Sequence, residues 1–240
     1  MQRQSPAILD WLVALTASLA ATALLVASSA PRKGKMPPDL SEILSRMNDA
    51  AKNLKTVSAN LEYTKVTALV NDKSTENGRL FFRKSKNPEI RIDITKPESK
   101  TILFKKNGAE IFLPKINQVQ EYNLEGKSGL VEQFFLLGFG TETGELRKTY
   151  DVKYSAEEDL DGDTTAVLEL TPLAASVKAQ IEKVQLWVSE ESWLPVQQKF
   201  FQPGGDYFLA RYTAVKVNRR LPSSTFQIPG AKDAKRIKMG

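Results

Sequence analysis

Three aspartates at alternate positions, Asp159, Asp161 and Asp163, form the densest group of metal-ligating side chains in the 240-residue sequence. Carboxylates with this spacing open the calcium-binding loop of an EF-hand. The run lacks the later ligands and the bidentate glutamate that complete such a loop, and Asp-Gly is a common turn sequence. We therefore predict a hairpin turn here and no metal site.

The chain contains no histidine and no cysteine. Disulfides, thiolate metal sites, cysteine nucleophiles, Ser-His triads and zincin sites are thereby excluded. Without cysteine there is also no lipid-modified cleavage site, so the chain is not itself a lipoprotein. Catalysis would rest on carboxylates, lysine, tyrosine or serine, and no spacing organises them. The sequence predicts a protein that is not an enzyme and needs no cofactor.

Basic residues exceed acidic ones by 34 to 28, which gives a net charge of +6. They concentrate at residues 83–86, 105–106, 219–220 and 232–238, mostly at expected strand ends and turns. Nucleic-acid binding would require basic and aromatic residues interleaved on one platform, and we do not expect it. A solvated surface explains such clusters, and attraction to anionic phospholipid is the alternative.

Residues 78–124 contain four or five short apolar runs separated by Pro, Gly or Asn turn signals. This spacing is typical of an antiparallel meander. One face carries charged residues such as Arg91 and Asp93, whereas the other is apolar. That apolar face consists of Leu80, Phe82, Ile90, Ile92, Ile94, Ile111 and Leu113. Such a face must be covered by helices, a second sheet or a ligand.

Two segments could cover this face. Asp39 and Glu42 form a capping-box pattern at the start of an amphipathic helix over residues 40–56. Residues 129–138 read as one or two helical turns bounded by glycines. The apolar lid residues in the two segments are Leu40, Ile43, Leu44, Met47 and Leu54, and Phe134, Phe135 and Leu137.

Further strands are predicted at 58–70, 150–154, 164–171, 181–189, 196–201 and 207–217. Residues 71–77 read as a polar turn and 138–146 as a loop. Trp187 and Trp193 are expected to close strand ends or to pack in the core. The later strands extend the apolar face with Leu168, Leu170, Leu186 and Val188.

The fold class that follows is mainly β with α. We predict a curved antiparallel sheet of about ten or eleven strands, an open half-barrel covered by a helical lid. It would occupy residues 39–240, after a basic, proline-containing linker at 31–38. The apolar residues of sheet and lid would then line a cavity for an apolar ligand.

Residues 1–30 are expected to be a signal peptide or an N-terminal membrane anchor. The almost uncharged run 11–30 is rich in Leu, Ala and Val, and it is long enough to span a bilayer. Small residues at Ala27 and Ser29 favour cleavage after Ser29. The basic residues Arg32, Lys33 and Lys35 complicate the orientation of an uncleaved anchor.

Several motifs in order resemble the LolA-like carriers of bacterial outer-membrane lipoproteins. Gly-Arg-Leu-Phe-Phe-Arg-Lys at 78–84 resembles the second strand of the family, and Asn-Pro at 87–88 its following turn. Lys-Asn-Gly at 106–108 resembles the hairpin turn, and residues 110–119 the strand after it. Residues 194–198 and 221–228 are similar to the closing strands of the family.

This resemblance implies that acyl chains bind between the sheet and the lid. It also implies receipt of a lipoprotein from an inner-membrane transporter and delivery to an outer-membrane receptor. The arginine that latches the lid in the family falls at Lys84 here, and lysine lacks the planar five-donor fork of arginine. A latch at this position would therefore be weaker, or another residue would supply it.

Two functions follow as hypotheses. The first is a periplasmic, monomeric carrier of lipoprotein acyl chains or other lipids, in transient contact with membranes. The alternative is an envelope lipid or lipoprotein sensor, or an interaction module, anchored in the inner membrane by residues 11–30. A mature chain that starts at Ala30 would favour the carrier, and an intact Met1 would favour the sensor.

Overall fold

The computed structural model describes residues 38–105, 108–124, 137, 139 and 142–239. Within these residues the chain forms twelve strands in a single sheet, with short helices between them. The predicted class, mainly β with an open half-barrel and a helical lid, is confirmed. The predicted leader at 1–30, nearly all of the linker, and Phe134 and Phe135 lie outside the described residues.

The α-helices and strands have the following bounds. The helices are α1 (Leu40–Asn53), α2 (Thr143–Thr149) and α3 (Ala175–Lys178). The first half of the sheet consists of β1 (Thr56–Thr67), β2 (Asp72–Arg83), β3 (Glu89–Lys96), β4 (Lys100–Lys105), β5 (Gly108–Leu113) and β6 (Gln118–Asn123). The second half consists of β7 (Tyr150–Leu160), β8 (Asp163–Pro172), β9 (Lys183–Ser189), β10 (Pro195–Phe201), β11 (Tyr207–Val217) and β12 (Lys235–Met239).

Two antiparallel meanders make up the sheet. The strand order is β12-β6-β5-β4-β3-β2-β1-β11-β10-β9-β8-β7, so the pairing of β1 with β11 joins the two halves. All pairs are antiparallel except β12 with β6. The first and last strands of this order do not pair with each other, and the sheet therefore stays open.

Register places the apolar residues of neighbouring strands side by side. Leu80 lies opposite Ile92, Ile92 opposite Ile102, and Ile102 opposite Ile111. Because directly paired residues point to the same side of a sheet, these side chains share one face. We call it the inner face.

The C-terminal segment, residues 222–234, crosses the opposite, outer face of the sheet, and we call it the arm. Arg91 donates from Nη1 to the backbone oxygens of Thr225 and Gln227, at 2.9 and 3.0 Å. The Arg83 guanidinium lies 4.4 Å from the centre of the Phe226 ring, which is buried. Farther along, Ala231 packs against Phe112 and Val119. The two faces thus have different covers.

Three predicted segments differ from the structure, and one strand was not predicted. Residues 71–77 are not a turn, because Asn71 reverses the chain in a left-handed conformation and β2 starts at Asp72. The expected loop at 138–146 gives way to α2 from Thr143 onward. Residues 221–228 form no strand but enter the arm, with a 3₁₀ turn at Ser223–Phe226. β12 was missed because its basic sequence has no apolar alternation, and pairing with β6 decides its conformation.

No α-helix in the described part of the chain is long and apolar enough to cross a bilayer.

Gly78 allows close contact between β2 and β3. A Cβ atom at this position would lie 2.0 Å from the backbone oxygen of Asp93, beside a register shift at Asn77 and Gly78. We expect Gly78→Ala to lower the free energy of unfolding by about 2 kcal/mol, because backbone must move to relieve the clash. Urea denaturation followed by circular dichroism measures this loss.

Gly144→Ala is the matched control. A Cβ atom there meets nothing within 4 Å, and the residue lies in α2. Alanine is the better helix former by about 1 kcal/mol, so this variant should be at least as stable as the parent. Equal stability of the two variants would show that the close contact at Gly78 has no energetic consequence.

Candidate functional site

Helix α1 begins where the sequence predicts. The Asp39 side chain accepts a hydrogen bond from the Glu42 backbone N–H at 2.8 Å, which caps the first turn. The Glu42 side chain pairs with Arg46 instead of completing a capping box. One side of the helix is buried, and this side carries Ile43, Leu44, Met47 and Ala51.

The structure places the predicted sheet residues together on the inner face. Buried there are Leu80, Phe82, Ile90, Ile92, Ile94, Ile111, Leu168, Leu170, Leu186 and Val188, all at most 7% exposed. Leu113, at the end of β5, is half-buried. The two meanders thus supply one continuous apolar surface.

The predicted lid residues are placed as follows. Ile43, Leu44, Met47, Leu54 and Leu137 are buried, and Leu40 is half-buried at the first position of α1. The inner face and the apolar side of α1 are both buried, and Lys84, just after β2, contacts the last turn of the helix. That the interface between sheet and lid opens into a lipid cavity remains a prediction.

Lys84, the predicted latch, contacts the end of α1. Its Nζ donates to the backbone oxygen of Ala51 at 2.9 Å, and its backbone N–H donates to the Lys55 oxygen at 2.8 Å. A cation at a helix C-terminus is stabilised by the exposed carbonyls there. The ammonium therefore links β2 to the helix by one charged hydrogen bond rather than by the fork of an arginine.

A second cover of the inner face is fixed by Gln198, which is fully buried. Its Nε2 donates to the backbone oxygen of Leu137 at 2.7 Å, and its Oε1 accepts from the Tyr212 hydroxyl at 3.3 Å. Phe139 packs edge-on against the Tyr212 ring at 5.1 Å. Burial raises the pKa of Tyr212 far above its ordinary value, so the hydroxyl remains a donor.

A buried ion pair also interrupts the apolar surface. Lys100 Nζ lies 2.6 Å from Glu76 Oε1, and the two side chains are only 13% and 15% exposed. Glu76 lies opposite Tyr63 in the register of β1 and β2. Burial, and then the charge of Glu76, raise the pKa of the Tyr63 phenol. The other carboxylate oxygen of Glu76 is buried and accepts no hydrogen bond from the described residues.

None of these polar residues was predicted from the sequence as part of the site. Nothing in the sequence around Gln198, Glu76 and Lys100 marks them as unusual. Only the pairing of neighbouring strands shows that their side chains point to the inner face. A signal existed for Gln198, which replaces an apolar residue at an inward position of β10, two residues before the buried Phe200.

A surface groove of about 600 Å³ lies at the β7 edge of the sheet. It is lined by residues of α2, α3, β7 and β8, among them Tyr150 and Val152. Val152 lies opposite Leu170, so this groove adjoins the inner face at the open edge. The groove is also lined by two basic residues, Arg147 of α2 and Lys178 of α3.

The aspartates of residues 159–163 form the predicted hairpin turn. Asp159 accepts a hydrogen bond from the Gly162 backbone N–H at 2.8 Å, and Asp163 accepts one from the Ser189 hydroxyl at 3.0 Å. Asp161, in a left-handed conformation, pairs with Arg211. Each carboxylate thus has a structural contact within the protein.

Comparison with known proteins gives a family and a fold. A family described as "Uncharacterized protein" matches residues 102–226, just over half of the 240 residues. The chain belongs to this family. No curated protein matches the sequence significantly.

Solved structures show the fold. MucB matches with a TM-score of 0.52 at 12% identity, over 80% of this chain and 63% of MucB. The lipoprotein LppX of Mycobacterium tuberculosis matches with a TM-score of 0.50 at 14% identity, over 77% of this chain and 99% of LppX. A LolA superfamily protein of Nitrosomonas europaea matches with 0.40 at 18% identity, over 80% of this chain and 99% of that one.

The shared fold of MucB and LppX confirms the fold that the sequence motifs predict. At these identities the likeness concerns the fold alone. The chain spans less than two thirds of MucB, so MucB contains a part with no counterpart here.

The buried ion pair on the inner face should be sensitive to the loss of one partner. We expect Lys100→Met to lower the free energy of unfolding by about 3 kcal/mol, because the Glu76 carboxylate is left without its counter-charge. Glu76→Leu combined with Lys100→Met should recover most of this loss, since an apolar pair needs no desolvation. Urea denaturation of the parent protein and the two variants measures both effects.

Lys115→Met is the control for this experiment. Lys115 pairs with Glu98 at 3.1 Å, but the two side chains are 79% and 51% exposed. Exposed pairs contribute less than about 1 kcal/mol. A loss in Lys100→Met no larger than in Lys115→Met would contradict the importance of the buried pair.

Proposed function

We propose that this protein is a lipid carrier that binds acyl chains between the inner face and α1. The observation that supports this proposal is the continuous apolar surface formed by both meanders. It lies beneath a helix that is not hydrogen-bonded to any strand of the sheet. An acyl chain in this position gains about 0.8 kcal/mol per buried methylene, so few polar contacts are required. The open β7 edge, with its groove, is a route by which a chain could enter.

The proposed cargo is the acyl part of a lipoprotein or of another lipid. The protein would be exported through residues 1–30, work in the periplasm as a monomer and move cargo towards the outer membrane. An inner-membrane transporter and an outer-membrane receptor are the partners that the LolA-like fold suggests. Its activity would be binding and transfer rather than catalysis.

Lipid binding can be tested on the purified protein. We expect organic extraction followed by mass spectrometry to recover acyl lipid in near-stoichiometric amount. Protein stripped of lipid should bind a fluorescent fatty acid or lipopeptide with a blue-shifted emission, because the probe enters an apolar site. A stripped, folded protein that binds neither probe would refute the proposal.

The latch can be tested with Lys84→Met. Loss of the hydrogen bond to the Ala51 carbonyl should weaken the closed position of α1 by about 1 kcal/mol, which corresponds to roughly fivefold faster release of a bound probe. Stopped-flow measurement of fluorescent fatty-acid dissociation gives this rate.

Lys86→Met is the matched control, because Lys86 is an exposed lysine two residues away and contacts no acidic group among the described residues. Its release rate should equal that of the parent. Equal rates in Lys84→Met and Lys86→Met would show that Lys84 does not restrain the lid.

A second candidate is the anchored envelope sensor or interaction module. The fold of MucB supports it, since MucB has been solved in complex with MucA(peri). N-terminal sequencing of the protein recovered from cells separates the two candidates. A chain that begins near Ala30 agrees with the carrier, and one that retains Met1 and fractionates with membranes agrees with the sensor.

A further inference from the structure

Three segments of the chain meet at the end of the sheet where β1 begins and where β2 and β11 end. They are residues 52–55, 84–88 and 216–222. Together they carry basic residues and no acidic one: Lys52, Lys55, Lys84, Lys86, Lys216, Arg219 and Arg220. All seven are exposed. We call this surface the basic platform.

Hydrogen bonds between backbone and short side chains hold the three segments together. Asn218 accepts at Oδ1 from the Lys55 backbone N–H at 2.7 Å and donates from Nδ2 to the Asn53 oxygen at 2.9 Å. The Thr56 hydroxyl donates to the Arg219 backbone oxygen at 2.7 Å. Lys84 donates to the Lys55 oxygen, as described above. The basic side chains therefore project from a fixed base.

None of the seven platform residues forms an ion pair within the described residues, although ten other lysines and arginines do. The nearby Glu89 is occupied by Arg83. The opposite end of the sheet differs, because acidic residues stand among its lysines in the turns: Asp72, Glu98, Asp206 and Asp233. The three platform segments thus hold seven basic residues and no carboxylate to neutralise them.

The chemistry of the platform fits an anionic lipid surface. Five of its seven residues are lysines, whose compact ammonium groups interact with phosphate as point charges. The three segments contain no Phe, Tyr or Trp on which bases could stack, which disfavours single-stranded nucleic acid. Many basic groups on one rigid end suit an extended anionic plane rather than a single small anion.

We propose that the basic platform docks this protein on the surface of a membrane that contains anionic phospholipid. The platform includes the C-terminal end of α1 and the Lys84 contact with it. Docking would therefore set this end of the helix and sheet against the phospholipid headgroups. The attraction would be electrostatic and reversible, and it would weaken as salt screens the charges.

Two variants with equal charge change test the proposal. The platform variant is Lys52→Gln, Lys55→Gln, Lys86→Gln and Lys216→Gln combined; the hydrogen bonds above use only backbone atoms of Lys55, so they are preserved. The control variant combines Lys73→Gln, Lys96→Gln, Lys232→Gln and Lys235→Gln, four exposed lysines at the opposite end without ion pairs in the described structure.

The measurement is the association rate of the full chain with vesicles of phosphatidylcholine, with and without about 30 mol% phosphatidylglycerol. Electrostatic attraction increases the rate of encounter with the vesicle. The association rate therefore measures the effect of the basic platform even if the N-terminal segment also anchors the protein. At about 50 mM salt we expect association with anionic vesicles to be at least about tenfold faster than with neutral ones, and this difference to vanish near 500 mM.

The platform variant should lose most of the tenfold preference, and the control variant should stay within about twofold of the parent. An equal loss in both variants would overturn the proposal, because net charge alone would then explain attraction. So would a parent protein that shows no preference for anionic vesicles, or one that binds only an acidic peptide or an oligonucleotide.

The platform variant should also keep its uptake of a fluorescent fatty acid from solution. In the parent protein, uptake without vesicle preference would refute the docking surface alone. Vesicle preference without uptake would refute the proposed acyl-chain binding alone. The two proposals can therefore fail separately.

Discussion

A sheet with one strongly apolar face must have that face covered, and most of the structure follows from how this chain meets that requirement. Apolar residues from both meanders occupy the inner face, and the apolar side of α1 covers them. The outer face of β2 to β6 is crossed by the arm, in which Phe226 lies beneath Arg83 and Ala231 packs on Val119.

The covers differ in how they are attached. The arm runs into β12 and is fixed to the sheet by backbone hydrogen bonds with β6. Helix α1 is held by side-chain packing, by its connection into β1, by Lys84 at its last turn and by the Asn218 side chain, which donates to the Asn53 oxygen. A helix held in this way can separate from the sheet without breaking a ladder, which suits a surface that exchanges a ligand. Two polar contacts lie within that surface: the hydrogen bond from Gln198 to the Leu137 oxygen, and the ion pair between Glu76 and Lys100.

Periodicity predicted much of this arrangement. The alternation of Ile90, Ile92 and Ile94 predicted both a strand and its buried side, and the spacing of Ile43 and Met47 predicted the helix. Motifs in order predicted the LolA-like fold. Two short elements, α2 and β12, were not predicted. Neither has enough apolar residues to show a period, and the conformation of each depends on contacts with neighbouring elements. The arm was misread as a closing strand for the same reason.

The sequence by itself determined that this protein has a one-sided apolar sheet, an amphipathic helix to cover it, no histidine or cysteine chemistry and an excess of positive charge. These properties depend on residue types and on local spacings along the chain, every second residue in a strand and every third or fourth residue in a helix. Only the tertiary structure decided that Lys84 reaches Ala51, that Glu76 and Lys100 pair within the apolar face, and that seven basic residues from three distant segments share one end. Such contacts join residues far apart in the chain, and strand register, which no local pattern encodes, brings them together.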